Sequence, residues 1–85
     1  MDKKLKKIIS KILNISINKI TNKFEPKFEK KWDSINNIKI LLEVEKYFKI
    51  RFQEEDFHKK MNFIELLKQI KIKLNAKKKK NYKKL

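Results

Sequence analysis

An acid and a hydroxyl, those of Asp33 and Ser34, stand directly before an apolar-periodic run that ends at Phe48. An Asp or Ser in front of such a run is a typical N-terminal signature of an α-helix. The Ser34 hydroxyl therefore has two candidate roles, as the residue that caps the helix or as a point of chemical attachment. The pair alone favours the cap, because capping serines are common, so the surrounding pattern has to decide.

The composition of the chain excludes several kinds of chemistry. At 85 residues it has the size of one small domain, which can build one modest core but not a deep catalytic cleft as well. It contains no cysteine, which excludes disulfides, thiolate nucleophiles and zinc–thiolate sites. Its single histidine, His58, has no nucleophile or ligand partner in the pattern, and the acids do not cluster at metal-ligand spacing. We therefore predict no metal site.

Three amphipathic helices are predicted from apolar residues that recur three and four positions apart. The first has its apolar face within residues 5–13, with lysines on its other side. The second begins near Ser34. The third begins after Asn62, which is followed three residues later by Glu65 in the pattern of a capping box.

Two shorter segments connect these helices. Residues 15–33 form a long connection, in which Pro26 argues against a continuous helix. Gln53–His58 is expected to form a short turn of helix, because the acids at its start suit the helix dipole. There is no alternating strand pattern and no glycine-based hairpin signal. The predicted fold is therefore all-α, a small antiparallel four-helix bundle with three main helices and one short helix.

Positive charge is distributed unevenly along the chain. The formal net charge is +15, from 25 basic and 10 acidic residues. Residues 1–32 carry a net charge of +7 and residues 57–85 carry +10, whereas residues 33–56 carry −2. A chain this rich in Lys, Asn and Ile is typical of AT-biased codons, so much of the charge can be compositional drift. Drift gives no obvious reason to spare one segment, and the middle of the chain is therefore the first candidate for the functional part.

Residues 32–70 resemble the core of an acyl carrier protein. That family has Asp-Ser-Leu at the start of its second helix, an apolar-periodic helix that ends near Glu-x-x-Phe, a short link, an acidic short helix and a final apolar-periodic helix. The matching elements of this chain follow one another almost without gaps, and they are Asp33-Ser34-Ile35, Glu45-x-x-Phe48, Ile50-Arg51-Phe52, Glu54-Glu55-Asp56 and Phe63…Leu67…Ile70. Residues 3–31 fit the first helix and long loop of the family less specifically. An Asp-Ser pair alone is a weak motif, but the ordered set is fairly specific.

The resemblance implies that Ser34 is the attachment site of 4′-phosphopantetheine. The free N–H groups and dipole of a helix N-terminus favour a phosphodiester anion there. The flexible arm would carry an acyl or aminoacyl group as a thioester, and the sulfur would belong to the cofactor, so a cysteine-free chain could take part in thiol chemistry. Asp33 is either the helix cap or the companion acid that aids modification in the family. On this interpretation the protein is a substrate of enzymes and is not itself an enzyme.

The resemblance also implies partners and a surface for them. The partners would be a phosphopantetheinyl transferase, an acyl or aminoacyl ligase, and a downstream acyltransferase or synthase. Ile35 and Ile38 would also fit a core, but the resemblance implies that Ile35 is partly exposed beside Ser34. The expected partner surface consists of side chains on the second helix and acids on the short helix, namely Ile35, Ile38, Leu42, Glu43, Glu54, Glu55 and Asp56.

Four positions depart from the family pattern. Ile35 stands where Leu is usual, and Trp32 precedes Asp33 where primary fatty-acid carriers generally have a small pair. A Trp-Asp-Ser opening is more similar to stand-alone carriers of specialised pathways. Lys39 and Lys46 occupy positions where the family often has acids that meet basic patches on partner enzymes. Part of the usual acidic docking surface would then be retained by Glu43, Glu45, Glu54, Glu55 and Asp56.

The C-terminal residues suggest a boundary and an alternative function. We assign residues 1–75 to the carrier domain and residues 76–85 to a basic, flexible tail, because the tail has no apolar period and an excess of like charge. The alternative is a basic helical module that binds nucleic acid or an anionic membrane. It is less favoured, because only Tyr82 accompanies the lysines as a base-stacking aromatic. A carrier fold that has lost its modification and serves only as a docking subunit also fits these residues.

The hydropathy pattern bears on the compartment. No apolar run approaches the roughly 18 residues that span a membrane. The first residues, MDKKLKKIISKIL, lack the apolar stretch and small-residue cleavage site of a signal peptide. The first helix could lie on a membrane with its apolar face, but a bundle helix needs the same stripe. We therefore expect a cytoplasmic monomer.

Overall fold

The structure is a computed structural model that describes the backbone of residues 1–83 and the side chains of residues 1–77. Within this part of the chain the main elements are three α-helices. They are α1 (Asp2–Leu13), α2 (Ser34–Phe48) and α3 (Phe63–Lys83). The starts of α2 and α3 lie where the sequence predicts them, and α1 contains the predicted apolar face within residues 5–13.

Short 3₁₀ helices lie in the connections between the α-helices. They are found at Ile17–Lys19, Pro26–Phe28 and Glu54–His58. The last of these, Glu54–His58, is called the short helix below, and it confirms the predicted turn of helix between α2 and α3. No strand occurs among residues 1–83, so the prediction of an all-helical bundle is confirmed at the level of fold class.

Both α1 and α2 end at a residue in the left-handed conformation. Asn14 ends α1 with φ 55° and ψ 51°, and its N–H donates to the carbonyl of Ser10. Asn adopts this conformation more readily than most residues. Lys49 ends α2 with φ 57° and ψ 48°, and its N–H donates to the carbonyl of Glu45. The Nζ of Lys77 donates to the Lys49 carbonyl at 3.0 Å, so a contact from α3 supports this less common lysine conformation.

α3 begins at the position that the capping pattern of Asn62 and Glu65 predicts. The N–H of Glu65 donates to Asn62 Oδ1 at 2.8 Å, and the N–H of Asn62 donates to Glu65 Oε1 at 3.2 Å. Each side chain thus satisfies a backbone donor that the helix itself leaves free. The predicted capping box is therefore confirmed.

The end of α3 differs from the prediction. The sequence pattern predicts a tail after Asn75, whereas the helical backbone of α3 continues to Lys83. The added residues contain no Gly or Pro, and Ala and Lys have high helix propensity. Extending a helix that already exists also avoids the cost of nucleation, which a separate tail would have to meet. The predicted helix end is therefore wrong; the last two residues of the predicted tail, 84 and 85, lie outside the described part of the chain.

One hydrophobic core lies between the three helices. The helices contribute to it aliphatic and aromatic side chains spaced three and four residues apart. The buried ones are Leu5, Ile8, Ile9 and Leu13 of α1, Ile40, Leu41 and Val44 of α2, and Phe63, Leu66, Leu67 and Ile70 of α3. Complete burial of one such side chain stabilises the fold by about 1.5–3 kcal/mol. The predicted apolar faces of α1 and α3 are confirmed.

The long connection between α1 and α2 packs onto this core with its own side chains. Ile20, Pro26 and Trp32 are buried. The ring of Phe24 stacks on that of Trp32 with 5.7 Å between their centroids. The N–H of Phe63 donates to the Phe24 carbonyl at 3.1 Å, which ties the connection to the start of α3. These contacts hold the backbone that enters α2.

Candidate functional site

Ser34 lies at the very start of α2. It is the first residue of the helix, and its side chain is exposed. The preceding residue supplies the cap, since the N–H of Asn36 donates to Asp33 Oδ1 at 2.8 Å. The N–H of Asn37 donates to the Asp33 carbonyl at 2.9 Å, as the first bond of the helix. Asp33 is therefore the capping residue, and the helix does not require the Ser34 hydroxyl for this purpose.

The backbone in front of Ser34 is held by polar contacts in two directions. Asn36 Nδ2 donates to the carbonyl of Lys31 at 2.8 Å, which connects this backbone to the first turn of α2. The N–H of Lys31 donates to Glu29 Oε2 at 3.2 Å, and its Nζ donates to the carbonyl of Asn14 at 3.3 Å. The start of α2 is thereby connected to the end of α1.

A buried polar pair lies directly beneath this site. Trp32 Nε1 donates to Asn37 Oδ1 at 2.9 Å, and each of the two residues is only 2% exposed. Asn37 Nδ2 donates to the carbonyls of Phe57 at 3.1 Å and Lys59 at 3.0 Å. One amide side chain thus satisfies the indole of the connection and two carbonyls at the end of the short helix. It joins three segments at the position that supports Ser34.

Asn37 is a structural residue that the sequence pattern does not predict. The available signal was a polar residue on the same helical face as Ile40, Leu41 and Val44, one turn after the capping Asp33. A buried amide in such a position needs partners for its donors and acceptor. Those partners lie up to 22 residues away in the sequence, so the pattern alone could not name them.

The apolar side chains predicted to face partners lie on the outward face of α2. Ile35 is 66% exposed, Ile38 40% and Leu42 51%. They are three and four residues apart, so they form one stripe along the helix. The opposite face carries Ile40 and Leu41 into the core. The stripe therefore begins next to Ser34, and it is not part of the core.

The acids predicted to face partners are not gathered on that stripe. Glu43 is exposed and lines a groove of about 430 Å³ between α1 and α2, together with three lysines of α1. Glu54 and Glu55 are exposed at the start of the short helix. With His58 they line a separate surface depression. The acids thus occupy two regions, one on each side of α2.

Asp56 has internal partners. Its Oδ2 accepts the N–H of Gln53 at 3.0 Å, which caps the short helix. The same atom lies 3.9 Å from Lys73 Nζ of α3, and both side chains are largely buried. The carboxylate thus connects the short helix to α3. Its part in binding a partner stays a prediction.

Glu45 fixes the link that follows α2. Its Oε2 accepts the N–H of Phe52 at 2.7 Å, and Phe52 is buried against the core. The Phe52 ring meets the ring of Phe57 edge-on, with 6.2 Å between their centroids. These contacts place the short helix beside α2. The Glu-x-x-Phe and Ile-x-Phe motifs therefore have a structural role in holding that link.

Among residues 1–83 no helix is both long enough and apolar enough to cross a membrane. Comparisons of the chain with protein-family models, with curated proteins and with solved structures found no match in any of the three. The function therefore has to be argued from the geometry of the site itself.

Proposed function

We propose that this protein is an acyl or aminoacyl carrier, which holds thioester-linked intermediates on a 4′-phosphopantetheine arm attached to Ser34. The observation that carries the proposal is the exposed Ser34 side chain at the first position of α2, with the cap supplied by Asp33. The ordered motifs of residues 32–70, which resemble those of acyl carrier proteins, support the same assignment.

The start of α2 fits the chemistry of a phosphodiester. The N–H groups of the first helical turn have no partners within the helix. The Asp33 carboxylate accepts the N–H of Asn36. The N–H groups of Ser34 and Ile35 belong to the same turn and precede that of Asn36. A phosphate on the Ser34 oxygen would lie at the positive end of the helix dipole. When attached, the arm supplies the thiol that this cysteine-free chain lacks.

The attachment reaction that we propose is a phosphoryl transfer from coenzyme A. The Ser34 oxygen forms a bond to the phosphorus that bears the pantetheine, and the pyrophosphate bond of coenzyme A breaks. The adenosine bisphosphate leaves, and the hydroxyl proton passes to a base of the transferase. This chain provides the nucleophilic oxygen and its position, whereas the transferase provides the catalytic groups. The chain is therefore a substrate in this reaction and not an enzyme.

The proposal includes the four-helix arrangement of the acyl carrier family. The order of α1, a long connection, α2, the short helix and α3 is the order that this family would have. The bonds from Asn37 to the end of the short helix, and from Glu45 to the link before it, support packing of the short helix along α2. We propose that these four helices form the antiparallel bundle of a carrier.

The partners in this proposal are those that load and unload the arm. They are a phosphopantetheinyl transferase, an acyl or aminoacyl ligase, and a downstream acyltransferase or synthase. The exposed stripe of Ile35, Ile38 and Leu42 supports the outward face of α2 as their contact surface, with Glu43, Glu54 and Glu55 beside it. We propose that the protein acts as a monomer in the cytoplasm, where thiols stay reduced.

Intact-mass measurement tests this proposal directly. The protein is incubated with coenzyme A and a broad-specificity phosphopantetheinyl transferase, and the expected result is a gain of one phosphopantetheine. Ser34→Ala should abolish the gain. Ser16→Ala is the matched control, because Ser16 is also exposed and also lies at a helix start, where its Oγ accepts the N–H of Asn18 at 3.3 Å. It should keep the full gain.

A mass gain that survives Ser34→Ala, or its complete absence from the wild-type chain, would overturn the proposal. Absence of the gain would favour a docking subunit with a carrier-like fold, or the second candidate function. That candidate is a basic helical module that binds nucleic acid or an anionic membrane. The observation in its favour is that the helical backbone of α3 continues through the lysine-rich residues 77–83.

A further inference from the structure

The apolar stripe on α2, formed by Ile35, Ile38 and Leu42, is bordered by cations. Lys39 lies four residues after Ile35, and Lys46 lies four residues after Leu42, so both share the outward face of the helix. Both lysines are exposed. The face that begins at Ser34 is therefore apolar along its middle and positively charged at its edge.

The side of this stripe that faces α1 is also basic. Lys4, Lys7 and Lys11 of α1 line the groove between α1 and α2, and the acid that lines it with them is Glu43. The three lysines are three and four residues apart, so they form a row along the groove. Lys4 Nζ lies 4.2 Å from the ring centroid of Tyr47, which sets the first lysine of the row against α2.

The far end of the stripe carries further positive charge. A depression of about 430 Å³ beyond Leu42 is lined by Lys46, Lys49 and Arg51. One acid, Glu45, also lines it, but its carboxylate accepts the backbone N–H of Phe52 at 2.7 Å. That hydrogen bond holds the carboxylate against the link. The charges at this end with which a partner can form ion pairs are therefore those of Lys46, Lys49 and Arg51.

The acids of the short helix do not offset this charge along the stripe. Glu54 and Glu55 line a depression with Gln53 and His58, and no α2 side chain takes part in it. Asp56 points instead to α3, where it pairs with Lys73. The positive edge of α2 and the acids of the short helix thus form separate surfaces.

We propose that α2 docks onto a protein partner with an apolar groove edged by carboxylates. This inference rests on the proposed carrier function, and it reverses the charge that the resemblance to acyl carrier proteins implies for the partner. Ile38 and Leu42 enter the groove, while Lys39 and Lys46 pair with acids at its rim. Such pairs raise the rate of association and set the orientation in which the partner meets Ser34.

A protein fits this surface better than a membrane or a nucleic acid. Glu43 lies within the basic groove, and a protein partner can place a cation opposite it, whereas a uniformly anionic surface cannot. A nucleic acid would also leave the apolar stripe without a matching surface. The attachment residue stands at one end of the stripe, so a partner that covers the stripe places its own active site beside Ser34.

The test uses the phosphopantetheinyl transferase encoded in the same genome, which is the first partner that the proposed function requires. Initial rates of Ser34 modification are measured by intact mass for the wild-type chain and for Lys39→Glu/Lys46→Glu. The control, Lys68→Glu/Lys71→Glu, makes the same charge change at two exposed lysines of α3. The docking variant should raise KM about tenfold with kcat within about twofold of wild type, because pairs at the rim affect encounter more than chemistry. The control should leave both constants within about twofold.

Salt provides a second measurement in the same assay. The wild-type KM should rise with sodium chloride, since salt screens exposed charge pairs, and the docking variant should lose most of that dependence. Equal KM values for the docking variant and the control, or a lower KM for the docking variant, would overturn the inference and leave the carrier function intact. Absence of modification in every variant would overturn both.

Binding to anionic vesicles tests the alternative that the basic edge of α2 serves a membrane. If phosphatidylglycerol vesicles bind the wild-type chain, Lys39→Glu/Lys46→Glu abolishes that binding, and the transferase kinetics are unchanged, then the basic edge serves a membrane and the proposed protein partner is wrong. Kinetic loss without a difference in vesicle binding supports the protein partner.

Discussion

Asp33 and Ser34 have separate tasks at the start of α2, although either residue type can cap a helix. The Asp33 carboxylate accepts the N–H of Asn36, so the N-terminus of the helix is capped without the serine. This division leaves an exposed hydroxyl on the first turn, two residues after the buried Trp32. This arrangement suits the modification that we propose, because the oxygen is accessible while hydrogen bonds hold the backbone beneath it.

The Asn37 side-chain amide joins three segments beneath this turn. In Asn37→Ala the indole N–H of Trp32 and the carbonyls of Phe57 and Lys59 lose their partner. Buried groups left without hydrogen bonds are costly, so we expect the free energy of unfolding to fall by about 2–4 kcal/mol. Urea unfolding measures this loss, and a red shift of the Trp32 emission would report water reaching the indole.

Asn36→Ala is the matched control for that change. It removes the neighbouring amide, whose hydrogen bond to the Lys31 carbonyl is exposed. The free energy of unfolding should then fall by less than about 1 kcal/mol. Equal losses for the two variants would contradict the role assigned to Asn37.

At this scale the sequence predicts local contacts well and distant ones poorly. The pair of Asn62 and Glu65 is recognisable because its two members are three residues apart and satisfy each other. Asn37 is not recognisable in that way, because its partners come from other segments of the chain. The exposure of Ser34 follows from its position at the helix start, which is again local.

The second helix has apolar residues on two faces, so its periodicity alone does not fix which face meets the core. Ile40 and Leu41 are buried, whereas Ile38 and Leu42 are exposed, although all four are similar in hydropathy. Periodicity identifies a helix but does not say which of two apolar stripes meets the core. Only the packing of α1, α3 and the long connection decides that.

Two adjacent leucines give a test of this orientation. In Leu41→Ala a fully buried side chain is truncated, and the free energy of unfolding should fall by about 2–5 kcal/mol. In Leu42→Ala the side chain is 51% exposed, so the loss should stay within about 0.5 kcal/mol. Chemical denaturation of the two variants measures both values, and the reverse order would mean that α2 presents its other face to the core.

The C-terminal end of α3 is a feature that the local sequence pattern does not predict. The sequence pattern predicts a separate tail after Asn75, because repulsion between the like charges of its lysines opposes folding. In the structure they extend an existing helix, so only the cost of propagation applies. The contact of Lys77 Nζ with the Lys49 carbonyl also comes from another element and has no local signature.

Charge is distributed unevenly over the whole molecule. Its formal net charge is +15, yet residues 33–56 carry −2. Within that acidic segment, the exposed cations Lys39 and Lys46 border the apolar stripe, while Glu45 and Asp56 are engaged in internal contacts. The segment has a net negative charge, but two of its carboxylates, those of Glu45 and Asp56, form contacts within the fold.

Removal of residues 76–85 separates the two candidate functions at the scale of the whole molecule. The truncation deletes six lysines, together with the bond from Lys77 to the Lys49 carbonyl. That bond is exposed, so the core and Ser34 should remain intact. For a carrier we expect the rate of Ser34 modification to stay within about twofold of wild type.

A polyanion binder predicts a different result from the same truncation. Affinity for single-stranded DNA should then fall steeply with salt in the full chain, with a slope of about 0.7 per phosphate contacted, and the truncation should flatten that slope. The control replaces the same six lysines with glutamine, which keeps the length of the chain while removing the charge. If both variants lose DNA binding and Ser34 is not modified in the full chain, α3 carries the function. If both are modified at the wild-type rate, the function belongs to the start of α2.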